Sequence, residues 1–99
     1  MDQDQVAPKI EAVVAEVMET IYRIMSKGSD KSVFGQWFHT DSRRYNADRL
    51  INHVTQAMMQ IDGNRTNPDQ AGESALDHLE RAVVRAAFLL YKTRRGKIS

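Results

Sequence analysis

Residues 73–91, Glu-Ser-Ala-Leu-Asp-His-Leu-Glu-Arg-Ala-Val-Val-Arg-Ala-Ala-Phe-Leu-Leu-Tyr, form a helix that is apolar on two sides. Leu76, Leu79, Val83, Ala86, Ala87 and Leu90 recur at three- and four-residue steps along one stripe. Val84, Phe88 and Tyr91 make a second, displaced stripe. In a chain of 99 residues such a helix needs two partners. One is the rest of its own domain and the other a second subunit, most simply in a dimer.

Two further segments show the same kind of pattern. From about Pro8 to Lys27, Ile10, Val13, Val14, Val17, Met18, Ile21, Ile24 and Met25 define a helix with one wide apolar face. Pro8 suits its first turn and Gly28 the position just past its end. From about Arg43 to Ile61, Leu50, Val54, Ala57, Met58 and Ile61 mark a stripe to be buried, and Asp41 or Ser42 can cap its start. The third helix is expected over about 73–95. Between the first two lies a loop, 28–42, carrying Phe34, Trp37 and Phe38, which read either as a plug over the helices or as a wall beside a pocket. Residues 63–72 are a polar, turn-rich connection. Strand signals are weak, and neither a repeat nor a sustained coiled-coil heptad is present. The expected fold is all-α: a single three-helix bundle-like domain spanning 1–99 that completes its core by homo-oligomerisation.

Composition removes several function classes. There is no cysteine, which excludes a disulfide scaffold, a thiolate metal site and a cysteine nucleophile. The net charge of +1 names no partner by itself. Its distribution is uneven: after Glu80 the charged residues are Arg81, Arg85, Lys92, Arg94, Arg95 and Lys97, whereas the N-terminal third leans acidic. Dipole complementarity accounts for this arrangement, and a phosphate contact is the functional alternative. No aromatic residue interleaves the basic run beyond Tyr91, so nucleic acid is not the expected partner. No apolar run reaches membrane-spanning length, and the acidic, polar N-terminus is unlike a signal peptide; a cytoplasmic location is expected.

Chemistry-bearing residues gather on the second and third helices. His53 and His78 each lie at the edge of an apolar stripe, where a half-buried structural histidine is the ordinary reading. If the two helices pack antiparallel, the imidazoles can face each other, and with Asp77 or Glu73 nearby they would suit a divalent transition metal. Glu73, Asp77 and Glu80 offer carboxylates at four- and three-residue steps, and Glu16 and Glu19 lie three apart on the first helix. Carboxylates on facing helices hold Mg²⁺ or Mn²⁺ in all-α sites, and the same acids are also ordinary residues of a helix start. No Gly-rich phosphate loop or serine triad context is present.

Residues 73–82, Glu-Ser-Ala-Leu-Asp-His-Leu-Glu-Arg-Ala, resemble the Glu-Ser-Gly-Leu-Pro-His-Leu-x-His-Ala signature of the dATP/dGTP diphosphohydrolase N-terminal family, small helical proteins of phages and bacteria. The continuation Ala-Ala-Phe-Leu-Leu-Tyr is similar too. Upstream, Arg44-Tyr45, Ala47 and Asn52-His53-Val54 resemble that family's Arg-Tyr, Ala and Arg-His-Leu helix, and Gln36-Trp37 its Asn-Trp. The likeness covers about residues 34–92. It implies an all-α fold, a phage or prophage origin, and a role touching deoxynucleotides, with Trp37, His53, Glu73, Ser74 and His78 as the matched polar positions. Two positions depart from the pattern: Asn52 stands where the family has arginine, and Arg81 where it has a second histidine. MazG-type pyrophosphohydrolases are similar in being small and helical, but their paired acidic motifs are represented only by Glu16-x-x-Glu19 and Asp77-x-x-Glu80.

Two functions follow as expectations. In the first, a Mg²⁺- or Mn²⁺-dependent nucleotide phosphohydrolase, Glu73, Asp77 and His78 are catalytic. Glu73, Asp77 and Glu80 hold the metal; Trp37, His53, Arg81 and Arg85 bind the ligand. In the second, a non-catalytic oligomeric module, the arginines hold a phosphorylated ligand or a partner protein without any metal. A purely structural interaction domain built on Val84, Phe88 and Tyr91 is a third possibility.

Overall fold

The computed structural model describes residues 6–29, 41–63 and 72–96. These carry three helices, α1 (Ile10–Ser29), α2 (Arg43–Ile61) and α3 (Ala75–Arg95), and no strand. The fold is all-α, as the periodicity implies. The aromatic loop residues Phe34, Trp37 and Phe38 lie outside the described residues.

Local chemistry sets the helix ends. Ser42 caps α2, its hydroxyl accepting from the Tyr45 N–H at 3.0 Å. Ser74 caps α3 through a capping box: its hydroxyl accepts from the Asp77 N–H at 3.1 Å, and its own N–H donates to the Asp77 carboxylate at 2.9 Å. The box starts α3 at Ala75 and leaves Glu73 just outside the helix. At the other end Gly96 adopts φ 74°, a left-handed conformation open to glycine at little cost, and its N–H closes on the Lys92 carbonyl. Helix α1 begins two residues later than Pro8 suggests and continues through Gly28 to Ser29. One glycine near a helix end costs only about 1 kcal/mol, which the preceding turns outweigh.

Helices α2 and α3 form an antiparallel hairpin, with Asn46 beside Arg85 and His53 beside His78. Helix α1 packs on α3, where Arg23 of α1 bonds to Glu80 of α3. Only the later part of α1 is half-buried, at Thr20, Ile21 and Arg23 to Met25; its residues up to 19 are exposed.

The apolar stripes do not lie where periodicity places them. Of the α2 stripe only Ala57 is buried, while Val54, Met58 and Ile61 are exposed. On α3 the longer stripe faces out at Leu76, Leu79 and Leu90, and the shorter one supplies the core through Val84 and Phe88. An interaction surface built on Val84 and Phe88 is therefore unavailable, because both are covered within the chain. The buried set is as polar as it is apolar: Asn46, His53, Gln60, His78 and Lys92 against Ala57, Ala82, Val84 and Phe88. Apolar pattern reports which face avoids water, but this hairpin closes on the face whose polar groups satisfy one another.

Replacing Ser74 with alanine removes the hydroxyl that accepts from the Asp77 N–H and donates to its carboxylate, and leaves only the backbone N–H side of the capping box. The expected loss is about 1 kcal/mol of unfolding free energy, measured by urea denaturation followed by circular dichroism, with helical content at rest unchanged.

Candidate metal centre

The polar residues along the hairpin seam are spaced by sevens. On α2 they are Asn46, His53 and Gln60, all buried; on α3 they are buried His78 and Lys92 with half-buried Arg85 between them. Seven residues are close to two helical turns, so each set lies along one face, and antiparallel packing brings the two faces together in layers. At one end Lys92 donates to the Asp41 carbonyl. In the next layer Arg85 Nη1 donates to the Asp41 carboxylate and to Asn46 Oδ1, each at 3.0 Å. Asn46 in turn donates to the Ser42 carbonyl at 3.0 Å. The Arg85 guanidinium also lies over the rings of Tyr45 and Phe88, 5.2 and 5.8 Å from their centroids. At the far end Gln60 Nε2 donates to the Glu73 carbonyl at 3.0 Å, which holds the segment before α3 against α2.

The middle layer is His53 opposite His78. Both are 3% exposed, and their Nδ1 atoms lie 2.9 Å apart. Glu73 Oε2 approaches His78 Nδ1 at 3.4 Å, and Arg81 Nε stands 3.5 Å from Glu73 Oε1. Arg49, one turn before His53 on α2, places Nη2 3.4 Å from His53 Nε2. A guanidinium has only donors, so His53 Nε2 accepts and the ring proton sits on Nδ1, donated to His78. The His78 Nδ1 lone pair is then turned toward a region that also contains the Glu73 carboxylate.

Electrostatics disfavours a protonated imidazole at His53. His53 is pushed down to about 4, first by burial and then by the positive charge of Arg49, with smaller contributions from His78, Arg81 and Arg85. Neutral imidazole is the form that ligates metal. The donor atoms of His53, Glu73 and His78 lie within 4.8 Å of one another, two of them buried and the third half-buried. Two imidazole nitrogens on a tetrahedral ion sit about 3.3 Å apart and on an octahedral one about 2.9 Å, given metal–nitrogen bonds of about 2.05 Å. The observed 2.9 Å spacing matches a bond angle near a right angle.

The chain matches no family model, no curated protein and no solved structure.

The structure brings together His53, Glu73 and His78 of the residues singled out in the sequence, with Arg81 beside them. It gives the other carboxylates different partners. Asp77 Oδ2 takes the Ser74 N–H at 2.9 Å and hydroxyl at 3.0 Å, and these bonds hold its acid below the usual carboxylate range. Glu80 pairs with Arg23 of α1. The expected cluster of Glu73, Asp77 and Glu80 thus gives way to two histidines and one glutamate. Arg85 serves the neighbouring layer, and Trp37 lies outside the described residues. Sequence reasoning passed over Arg49, Asn46 and Gln60. Their signal was the seven-residue spacing of polar residues, which a search for apolar stripes overlooks.

The depressed His53 makes the metal-free protein acid-sensitive. Above its ordinary value of 6.5 neither the folded nor the unfolded chain protonates this ring. As pH falls from there toward about 4, the unfolded chain takes up the proton and the native state does not, so stability declines. The loss approaches roughly 3 kcal/mol below the lower limit. Thermal unfolding in chelator across this range should show the decline, and His53→Gln should remove this share of it.

Proposed function

We propose that the protein holds one divalent transition-metal ion between His53 Nδ1, His78 Nδ1 and the Glu73 carboxylate, and that ion and arginines together bind a phosphorylated ligand of the deoxynucleotide class. The convergence of these three donors within 4.8 Å carries the reading. Two imidazoles and a carboxylate suit Zn²⁺, Fe²⁺, Co²⁺ or Ni²⁺ better than Mg²⁺, which prefers an all-oxygen shell. Three protein ligands leave coordination positions open for a ligand oxygen.

The surrounding cations favour an anion at that position. Arg81 stands beside Glu73, and Arg49 beside His53. The Arg49 Nε is buried and has no hydrogen-bond partner among the described residues, so an acceptor oxygen arriving there would meet a desolvated donor. A metal held at His53 Nδ1 would leave the ring proton on Nε2, where it would oppose the Arg49 donor and favour a guanidinium turned to an anion. The deoxynucleotide class is supported by the resemblance of residues 34–92 to the dATP/dGTP diphosphohydrolase N-terminal family. Three of its five matched polar positions, His53, Glu73 and His78, are the three that converge.

Isothermal titration of the chelator-stripped chain with Zn²⁺, Co²⁺, Ni²⁺, Mn²⁺ and Mg²⁺ tests the metal. One transition ion per chain is expected, with Mg²⁺ far weaker. His53→Gln and His78→Gln should each weaken binding by more than about a hundredfold, since outer-shell changes alone cost 10–100-fold. Asp77→Asn should leave binding in place. Affinity unchanged in both histidine variants would refute the centre.

A thermal-shift series with deoxynucleoside triphosphates then tests the ligand. The expected result is stabilisation that requires the metal and is reduced in Arg49→Gln and Arg81→Gln. Stabilisation that persists in chelator would favour a metal-free arginine site instead, and phosphate release would add catalysis to binding.

A further inference from the structure

The polar seam between α2 and α3 leaves apolar surface on the outside. On α1, Ile10, Val13, Val14 and Val17 follow one another at three- and four-residue steps, and all are exposed. On α3, Leu76, Leu79 and Leu90 are exposed along a stripe of the same spacing. Such stripes are the seams along which helices interlock side chain into side chain. Among the described residues α1 is half-buried only in its later turns, so its first ten residues, or about 15 Å of helix at about 1.5 Å per residue, carry an exposed apolar face.

Among the described residues these seven aliphatic side chains stay exposed, and a two-fold axis would bring each stripe the complementary stripe of a second copy.

Charge favours the same kind of partner. The exposed part of α1 carries Glu11, Glu16 and Glu19, while α3 beyond Glu80 has only basic charges, ending in Arg94 and Arg95. A two-fold axis that lays α1 of one copy along α3 of the other sets acids against bases twice. A net charge of +1 offers little repulsion between copies.

We infer that the protein is a homodimer in which the exposed first half of α1 of each copy packs its valine stripe on the Leu76–Leu79–Leu90 stripe of α3 of the other. This interface is independent of the metal centre, whose residues face the α2–α3 seam. The dimer therefore survives chelation and the histidine substitutions, so failure of either proposal leaves the other standing.

Sedimentation equilibrium of the full chain in chelator should give twice the 11.3 kDa protomer mass. Val17→Glu and Leu79→Glu should each reduce it to the protomer mass with helical circular dichroism retained. The cysteine-free sequence allows a second, direct test should either variant lose its helices. Val17→Cys and Leu79→Cys chains, purified separately, mixed and mildly oxidised, should give a disulfide-linked pair containing one chain of each kind. A protomer mass at every concentration overturns the inference. So does a dimer unmoved by both glutamate variants, or cross-linking confined to like chains.

Discussion

The α2–α3 seam closes on polar groups, and everything else in the structure follows from that choice. Burying a polar group without a partner costs about 1–3 kcal/mol, so a seam of this kind is tolerable only where donors meet acceptors layer by layer. Lys92 meets the Asp41 carbonyl, Arg85 meets Asp41 and Asn46, and Gln60 meets the Glu73 carbonyl. The His53–His78 layer differs in kind. Its hydrogen bond is made, and a carboxylate and two arginines stand around it, so that two imidazoles share one small region with charges of both signs. The outer layers pair donors with acceptors between the helices; the middle one gathers two imidazoles and a carboxylate.

Much of the fold was legible in the sequence because helix-forming signals are local. The three-and-four spacing of aliphatics gave three helices, and Ser42 and Ser74 sit where capping chemistry places helix starts. What could not be read was which face of each helix meets which. Leu76, Leu79 and Leu90 form a stripe fit for burial, yet within one chain it faces outward. Hydrophobic periodicity carries no address for the partner. The seam was written in another pattern, the sevenfold spacing of Asn46, His53 and Gln60 against His78, Arg85 and Lys92.

The site was legible to the same depth. His53, His78 and Glu73 were recognisable as potential ligands, and their meeting depended on antiparallel packing, which the short connection between α2 and α3 favours. Asp77 and Glu80 looked equally suitable by residue type and spacing. Their roles were decided by neighbours: Ser74 three residues away in the capping box, and Arg23 on a different helix. Only the first of these could be read from a local motif, and it was the cue that Asp77 was already committed to starting α3.

The layered seam also separates what the protein must keep from what it can vary. A slip of one helical turn would carry His53 past His78 and break the Asn46–Arg85 and Gln60–Glu73 bonds together, so the polar layers hold the hairpin in a single register. The outward aliphatics take no part in setting that register. Leucine, isoleucine, valine and methionine can therefore replace one another there while the spacing of the imidazoles stays the same.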